Sequence, residues 1–200
     1  MSESQRYKQK QHTRKVIIET AIDQLAQAGL TIARTADIAK AAGVSHGTIF
    51  AHFPTRETLL IAVIDEFGQR VSQRLHELAN GDNVRNILQA HLQGLMEFEP
   101  FYTRLVIERR LLPESAQNTW ILIQSSISYH LSQVAEREIR AGTLHPLPVH
   151  LLFNTWIGLI HYYLTNSDLF APNESVLRRY GHELLEHYLS LITANDTTNS

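Results

Sequence analysis

The 200-residue chain contains no cysteine. That excludes a disulfide framework, a thiolate zinc site and a cysteine nucleophile. No apolar run approaches the roughly 18 residues that a membrane-spanning helix needs. The opening stretch MSESQRYKQKQHTRK lacks the apolar middle of a secretory signal. A cytoplasmic protein is therefore expected. Apolar residues nowhere alternate with period two for long, so strands are not expected, and there is no internal repeat or low-complexity segment. A Gly-x-Ser-x-Gly elbow and a phosphate-cradling glycine loop are both missing. The stretch HELLEH, His182 to His187, approaches the zinc-protease pattern but places its second histidine one residue late. That offset turns the two rings about 140° apart on a helix, so surface histidines are expected rather than a metal pair. Glu108 and Glu114 show no acid–base partner in the sequence. No catalytic residue, cofactor or metal is expected.

What the chain does have is ordinary for a globular protein: 44% hydrophobic and 19% charged residues, with enough length to bury a core. The net charge of −2 is unevenly spread. In residues 1–60, Arg6, Lys8, Lys10, Arg14, Lys15, Arg34, Lys40 and Arg56 outnumber Glu3, Glu19, Asp23, Asp37 and Glu57, and the remainder is acidic. A basic head on an acidic body suits nucleic acid, although a solvated tail has the same composition.

Helical spacing dominates. The first helix is predicted from about Gln11 to Ala28, with Ile18, Ala21, Ile22 and Leu25 on one face and Gly29 as its stop. Two short helices lie between Thr35 and Phe53. A fourth runs from about Thr55 to Ala79, until Asn80-Gly81-Asp82 breaks it. Further helices are predicted at about Val84–Glu97, Phe101–Leu112, Ser115–Ala141, Val149–Thr165 and Asn173–Ala194, punctuated by Pro100, Pro113, Gly142, Pro146 and Pro148. The expected architecture is all-α: a helix-turn-helix head over residues 1–54, a larger helical body over 55–194, and a disordered tail over 195–200.

The run TADIAKAAGVSHGTIFAHF, Thr35 to Phe53, carries the functional signal. Thr35 is placed to cap one helix, and Asp37 suits its positive end. Gly43 permits the left-handed backbone of a tight turn. Val44 is expected to bury and Ser45 to cap the next helix, whose Ile49 and Phe53 face the core. Helix, glycine turn, helix is the spacing of a helix-turn-helix. The second helix then offers free N–H groups and small or hydrogen-bonding side chains (His46, Gly47, Thr48, Ala51, His52), as a helix entering a major groove requires.

The longer run TADIAKAAGVSHGTIFAHFPTRETLL resembles the signature of the tetracycline-repressor (TetR) family of transcriptional regulators over about residues 14–62. The resemblance implies a three-helix DNA-binding head, a helical body, a homodimer, and a pseudo-palindromic operator released when a small molecule binds the body. It places Ser45, His46, Gly47 and Thr48 at base edges and nearby phosphate. Thr35, His52 and Arg56 match phosphate contacts, and Arg34 and the arm from Arg6 to Lys15 are backbone contacts. Phe50 stands where the family often has a tyrosine, and Ala51 where it often has a second aromatic. Apolar contact of Phe50 with a thymine methyl or a sugar remains open to it.

In the body, the last two helices carry apolar residues on more than one face, which asks for a second partner. They are expected to pair with a symmetry mate in a four-helix interface, helped by Gly158 and Gly181. Phe98, Phe101, Tyr102, Trp120, Gln124, His130, Asn154 and His161 mix aromatic area with polar groups and are the candidates for an effector cavity. The effector is not legible. The remaining alternative is a helical interaction protein without sequence-specific DNA binding.

Overall fold

The computed structural model describes residues 2–78 and 83–194. Among them are ten α-helices: α1 Glu3–Ala28, α2 Thr35–Ala41, α3 His46–His52, α4 Arg56–Leu78, α5 Val84–Glu97, α6 Glu99–Glu108, α7 Glu114–Ala141, α8 Val149–Thr165, α9 Ser167–Phe170 and α10 Val176–Ile192. A single 3-10 turn, Arg109–Leu111, follows α6. The described residues hold no strand, only an isolated bridge between Leu144 and Thr193. None of the described helices is long and apolar enough to cross a membrane. The break expected at Asn80-Gly81-Asp82 and the tail expected over 195–200 lie outside the described residues.

Helix boundaries depart from the sequence expectations where capping chemistry outweighs apolar spacing. The first helix starts at Glu3 rather than near Gln11. Ser2 accepts from the Gln5 N–H while the Gln5 side chain accepts from the Ser2 N–H, a capping box that closes the first turn of a wholly polar stretch. Helix α6 starts at Glu99, not Phe101, because Pro100 sits in the first turn, where a missing N–H costs nothing. The last helix starts at Val176, with Ser175 accepting from the Arg178 N–H, and the separate short α9 precedes it.

Two compact units result: Met1–Gly68 with Pro100–Ile121, and Gln69–Glu99 with Leu122–Ser200. In the first, Ile17, Ile18, Ala21, Ile22 and Leu25 of α1 are buried, with Ile38 and Ala39 of α2, Ile49 and Phe53 from the region of α3, and Leu59, Leu60, Val63 and Ile64 of α4. Each large side chain so buried contributes roughly 1.5–3 kcal/mol. Phe67 stacks on Tyr102 at 5.4 Å and meets Phe101 at 5.6 Å, and Tyr102 meets Trp120 at 5.5 Å.

Gly29 ends α1 at φ 96° and ψ 152°, a region open essentially to glycine alone. The carboxylate of Glu108 comes up against it. A Cβ on Gly29 would lie 2.8 Å from Glu108 Oε1. Glu108 Oε2 accepts from the Thr31 N–H at 2.9 Å and from the Thr31 hydroxyl at 2.7 Å. The end of α6 is thereby tied to the turn between α1 and α2, and Glu108 has the partners that its sequence neighbours did not show.

In the second unit α10 packs on α8 and α5. Gly181 admits Leu92 so closely that an added Cβ would stand 3.1 Å from its methyl carbons. Glu99 closes the N-terminus of α10, accepting from the N–H groups of Val176 (2.8 Å) and Leu177 (3.3 Å) and from the Ser175 hydroxyl. A carboxylate is favoured there by the helix dipole and by the free N–H groups. Arg85 binds Glu186 through both guanidinium ends, at 2.5 and 3.1 Å.

Candidate functional site

The turn at Gly43 is what sequence reasoning required. Gly43 has φ 67°, and its N–H and that of Val44 bond back to Lys40 O (3.2 Å) and Ala39 O (3.0 Å). Helix α3 then restarts at once. Ser45 is its cap, with its hydroxyl oxygen accepting from the Thr48 N–H at 3.0 Å and lying 2.8 Å from Thr48 Oγ1. Ile49 and Phe53 anchor α3 with 1% exposure each. With that face spent on the core, Ser45, His46, Gly47, Phe50 and Ala51 are exposed and Thr48 is half-buried.

The exposed residues are not independent. His46 Nε2 lies 3.0 Å from Thr35 Oγ1, and the His46 ring meets Phe50 edge-on at 4.8 Å and 84°. Phe50 stays 40% exposed, so its ring edge and the His46 ring form one outward surface. Thr35 is not the cap of α2. Arg34 holds that place with extended backbone and no side-chain capping bond, which leaves the Thr35 hydroxyl for His46 and the Arg34 side chain exposed.

Two of the guanidinium groups expected at phosphate also make bonds within the head. Arg56 donates through Nη2 to the Leu30 carbonyl, and at 3.5 Å to that of Ala33. These carbonyls belong to the turn between α1 and α2, so this guanidinium braces the head. Arg14 donates to the His52 carbonyl at 3.3 Å and lies over the Phe53 ring at 4.3 Å, a cation–π seat that ties α1 to the end of α3. Burial, then the charges of Lys10 and Arg14, holds His52 below the ordinary histidine pKa. Arg6, Lys8 and Lys10 remain exposed along the polar turns of α1.

Comparison with known proteins agrees with this geometry. Residues 17–63 match the model of the bacterial regulatory proteins, tetR family. The head carries the tetR-family signature. The chain is 35% identical over 75 residues to an HTH-type transcriptional repressor of Mycobacterium tuberculosis, a match covering 38% of this chain and 40% of that one. It is 27% identical over 135 residues to a probable acrEF/envCD operon repressor of Escherichia coli, covering 66% and 54%. The first curated relatives are thus matched over 40% of their length. The fold extends further. A TetR-family regulator from Agrobacterium tumefaciens superposes with TM-score 0.76 at 20% identity, over 92% of this chain and all of that one.

Outside the head, the chain distributes the cavity candidates unevenly. Phe101, Tyr102 and Trp120 are buried in the first unit. In the second unit, Phe98 is buried beneath the Arg70 guanidinium at 5.5 Å, while Gln124 and His161 are half-buried. His130 and Asn154 are exposed, and the Asn154 amide turns back to the His150 carbonyl at 3.1 Å. Both stand on outward helix faces, which corrects their assignment to an enclosed cavity.

The residue that sequence reasoning missed is His91 of α5, 1% exposed. Its signal was available. Val84, Ile87, Leu88, His91, Leu92 and Leu95 share the buried stripe of α5, and a histidine on such a stripe is the anomaly to notice. Trp156 donates its indole N–H to His91 Nδ1 at 3.1 Å.

His182 and His187 are exposed on α10, as surface histidines should be. The wide apolar surface of the last two helices is mostly satisfied inside the chain: Leu152, Phe153, Trp156, Ile157, Ile160 and Leu164 are buried, as are Leu184, Leu185, Tyr188 and Leu189. Gly181 serves α5 rather than a symmetry mate. Among the outward residues of α8, Leu151, Thr155, Gly158 and Tyr162 form one stripe at helical spacing. An added Cβ at Gly158 meets no atom within 4 Å.

Proposed function

We propose that this chain is a DNA-binding transcriptional regulator, a repressor that leaves a pseudo-palindromic operator when a small molecule binds its helical body. The observation that carries the reading is the outward set Ser45, His46, Gly47, Thr48 and Phe50 on a short helix whose opposite side is anchored by Ile49 and Phe53. Such a helix presents its N-terminal side chains to base edges, with Arg34 and the exposed cations of α1 on the flanking backbone. The head is residues 1–54 and the effector and dimerisation body 55–194. The homodimer forms through α8 and α10, with the Leu151–Gly158–Tyr162 stripe at its centre. A cytoplasmic location and the absence of a catalytic role belong to the same reading. The names of the relatives, repressors of an operon or of transcription, support it.

The test is a mobility shift of the full chain on the DNA flanking its own gene, titrated against salt. Affinity should fall with a log–log slope of about −0.9 per phosphate contacted. No shift on any duplex at low salt would leave the interaction-protein alternative standing. His46→Ala is expected to cost about 1–3 kcal/mol on operator and far less on scrambled duplex. Equal loss on both would assign His46 to phosphate rather than to bases.

A further inference from the structure

His91 lies inside the second unit with its ring against Phe153 (centroids 5.7 Å apart) and the indole of Trp156. An indole nitrogen only donates, so His91 Nδ1 is the acceptor, and the neutral ring carries its proton on Nε2. No protein atom among the described residues accepts from that Nε2. Protonation offers no escape: burial, with a smaller contribution from His161, pushes the pKa down to about 3. A lone water at Nε2 would need two to four polar partners of its own. The Trp156 N–H is spent on Nδ1, and the hydroxyl of Tyr188, whose ring lies 5.5 Å from that of Trp156, donates to the Leu152 carbonyl at 2.5 Å and meets Thr155 at 2.9 Å. The titratable group facing His91 is His161 of α8.

We infer that the His91 Nε2–H is the polar anchor of the effector site, and that the effector is an uncharged molecule presenting a carbonyl oxygen on an apolar body. The aromatic walls supply the apolar contact, and the single fixed donor supplies orientation. A neutral donor gives a carboxylate no counter-charge, so organic acids are disfavoured. The consequence of binding, release of DNA, rests on the regulator reading above; the binding itself does not.

The test uses the full chain labelled with nitrogen-15. Long-range proton–nitrogen spectra assign the tautomer of each histidine. The probes are acetophenone and cyclohexanone, each against its hydrocarbon counterpart, ethylbenzene or methylcyclohexane, with benzoate as the charged arm. The expected result is a protonated Nε2 on His91 whose signal moves with the ketones alone. Ketone affinity should fall at least tenfold in His91→Phe and be largely kept in His91→Gln, which retains an N–H donor. A proton on Nδ1 overturns the inference. So does a signal unmoved by either ketone, or equal binding of ketone and hydrocarbon. Benzoate binding as tightly as acetophenone overturns the assignment to uncharged ligands. A mobility shift of the unliganded wild type, from the same preparation, tests the regulator reading separately.

Discussion

Gly29→Ala should be among the most damaging single substitutions in the head, lowering stability by about 2–4 kcal/mol. Two costs combine. A φ of 96° with ψ near 150° strains any residue with a Cβ by about 1–3 kcal/mol. The new methyl would also lie 2.8 Å from Glu108 Oε1, so the carboxylate must retreat and stretch its two bonds to Thr31. A bond to a charged acceptor contributes roughly 1.5–3 kcal/mol net of exchange with water. Urea denaturation of Gly29→Ala, Glu108→Ala and the double variant separates the terms. In the Glu108→Ala background the added cost of the glycine substitution should shrink to the backbone strain. Full additivity would mean that the carboxylate does not press on Gly29.

Acid should destabilise the second unit through His91. Burial pushes its pKa down to about 3, below the 6.5 of a free histidine, so between those values the unfolded chain binds the extra proton. The stabilisation is complete above pH 6.5 and is lost as pH falls toward 3, at roughly 1.4 kcal/mol per pH unit. Near pH 4.5 about 2–3 kcal/mol should have gone. Glu186, held below the usual carboxylate range chiefly by its bond to Arg85, pulls in the same direction, but it is exposed and screened. The comparison that isolates His91 is therefore the difference between wild type and His91→Phe in chemical denaturation across pH 4 to 7. The wild type should show the steeper acid slope. Parallel curves would mean that His91 titrates near its ordinary value in the folded chain.

The head was legible because its determinants are local. Gly43, Ser45, Ile49 and Phe53 each act within a few residues of where they stand, so the turn, the cap and the anchored face follow from spacing. The fates of Arg14 and Arg56 were not legible. A basic residue reads the same whether its guanidinium meets a phosphate or a carbonyl, and the partners, His52, Leu30 and Ala33, lie 23 to 38 positions away. Glu108 and Thr31 are 77 positions apart, beyond any periodicity. The early start of α1 was visible in the Ser2–Gln5 spacing, but the apolar face used to find helices does not extend there. For α6, the usual punctuating role of proline concealed its tolerance in a first turn.

On the regulator reading proposed above, the contact of Thr35 with His46, of His46 with Phe50 and of Ser45 with Thr48 has a consequence for how target preference evolves. These side chains hold one another's rotamers before any duplex arrives, so each substitution re-aims its neighbour as well as removing itself. Changes in preference should come in coupled pairs, and a table of single replacements will not sum to the behaviour of the combined variant.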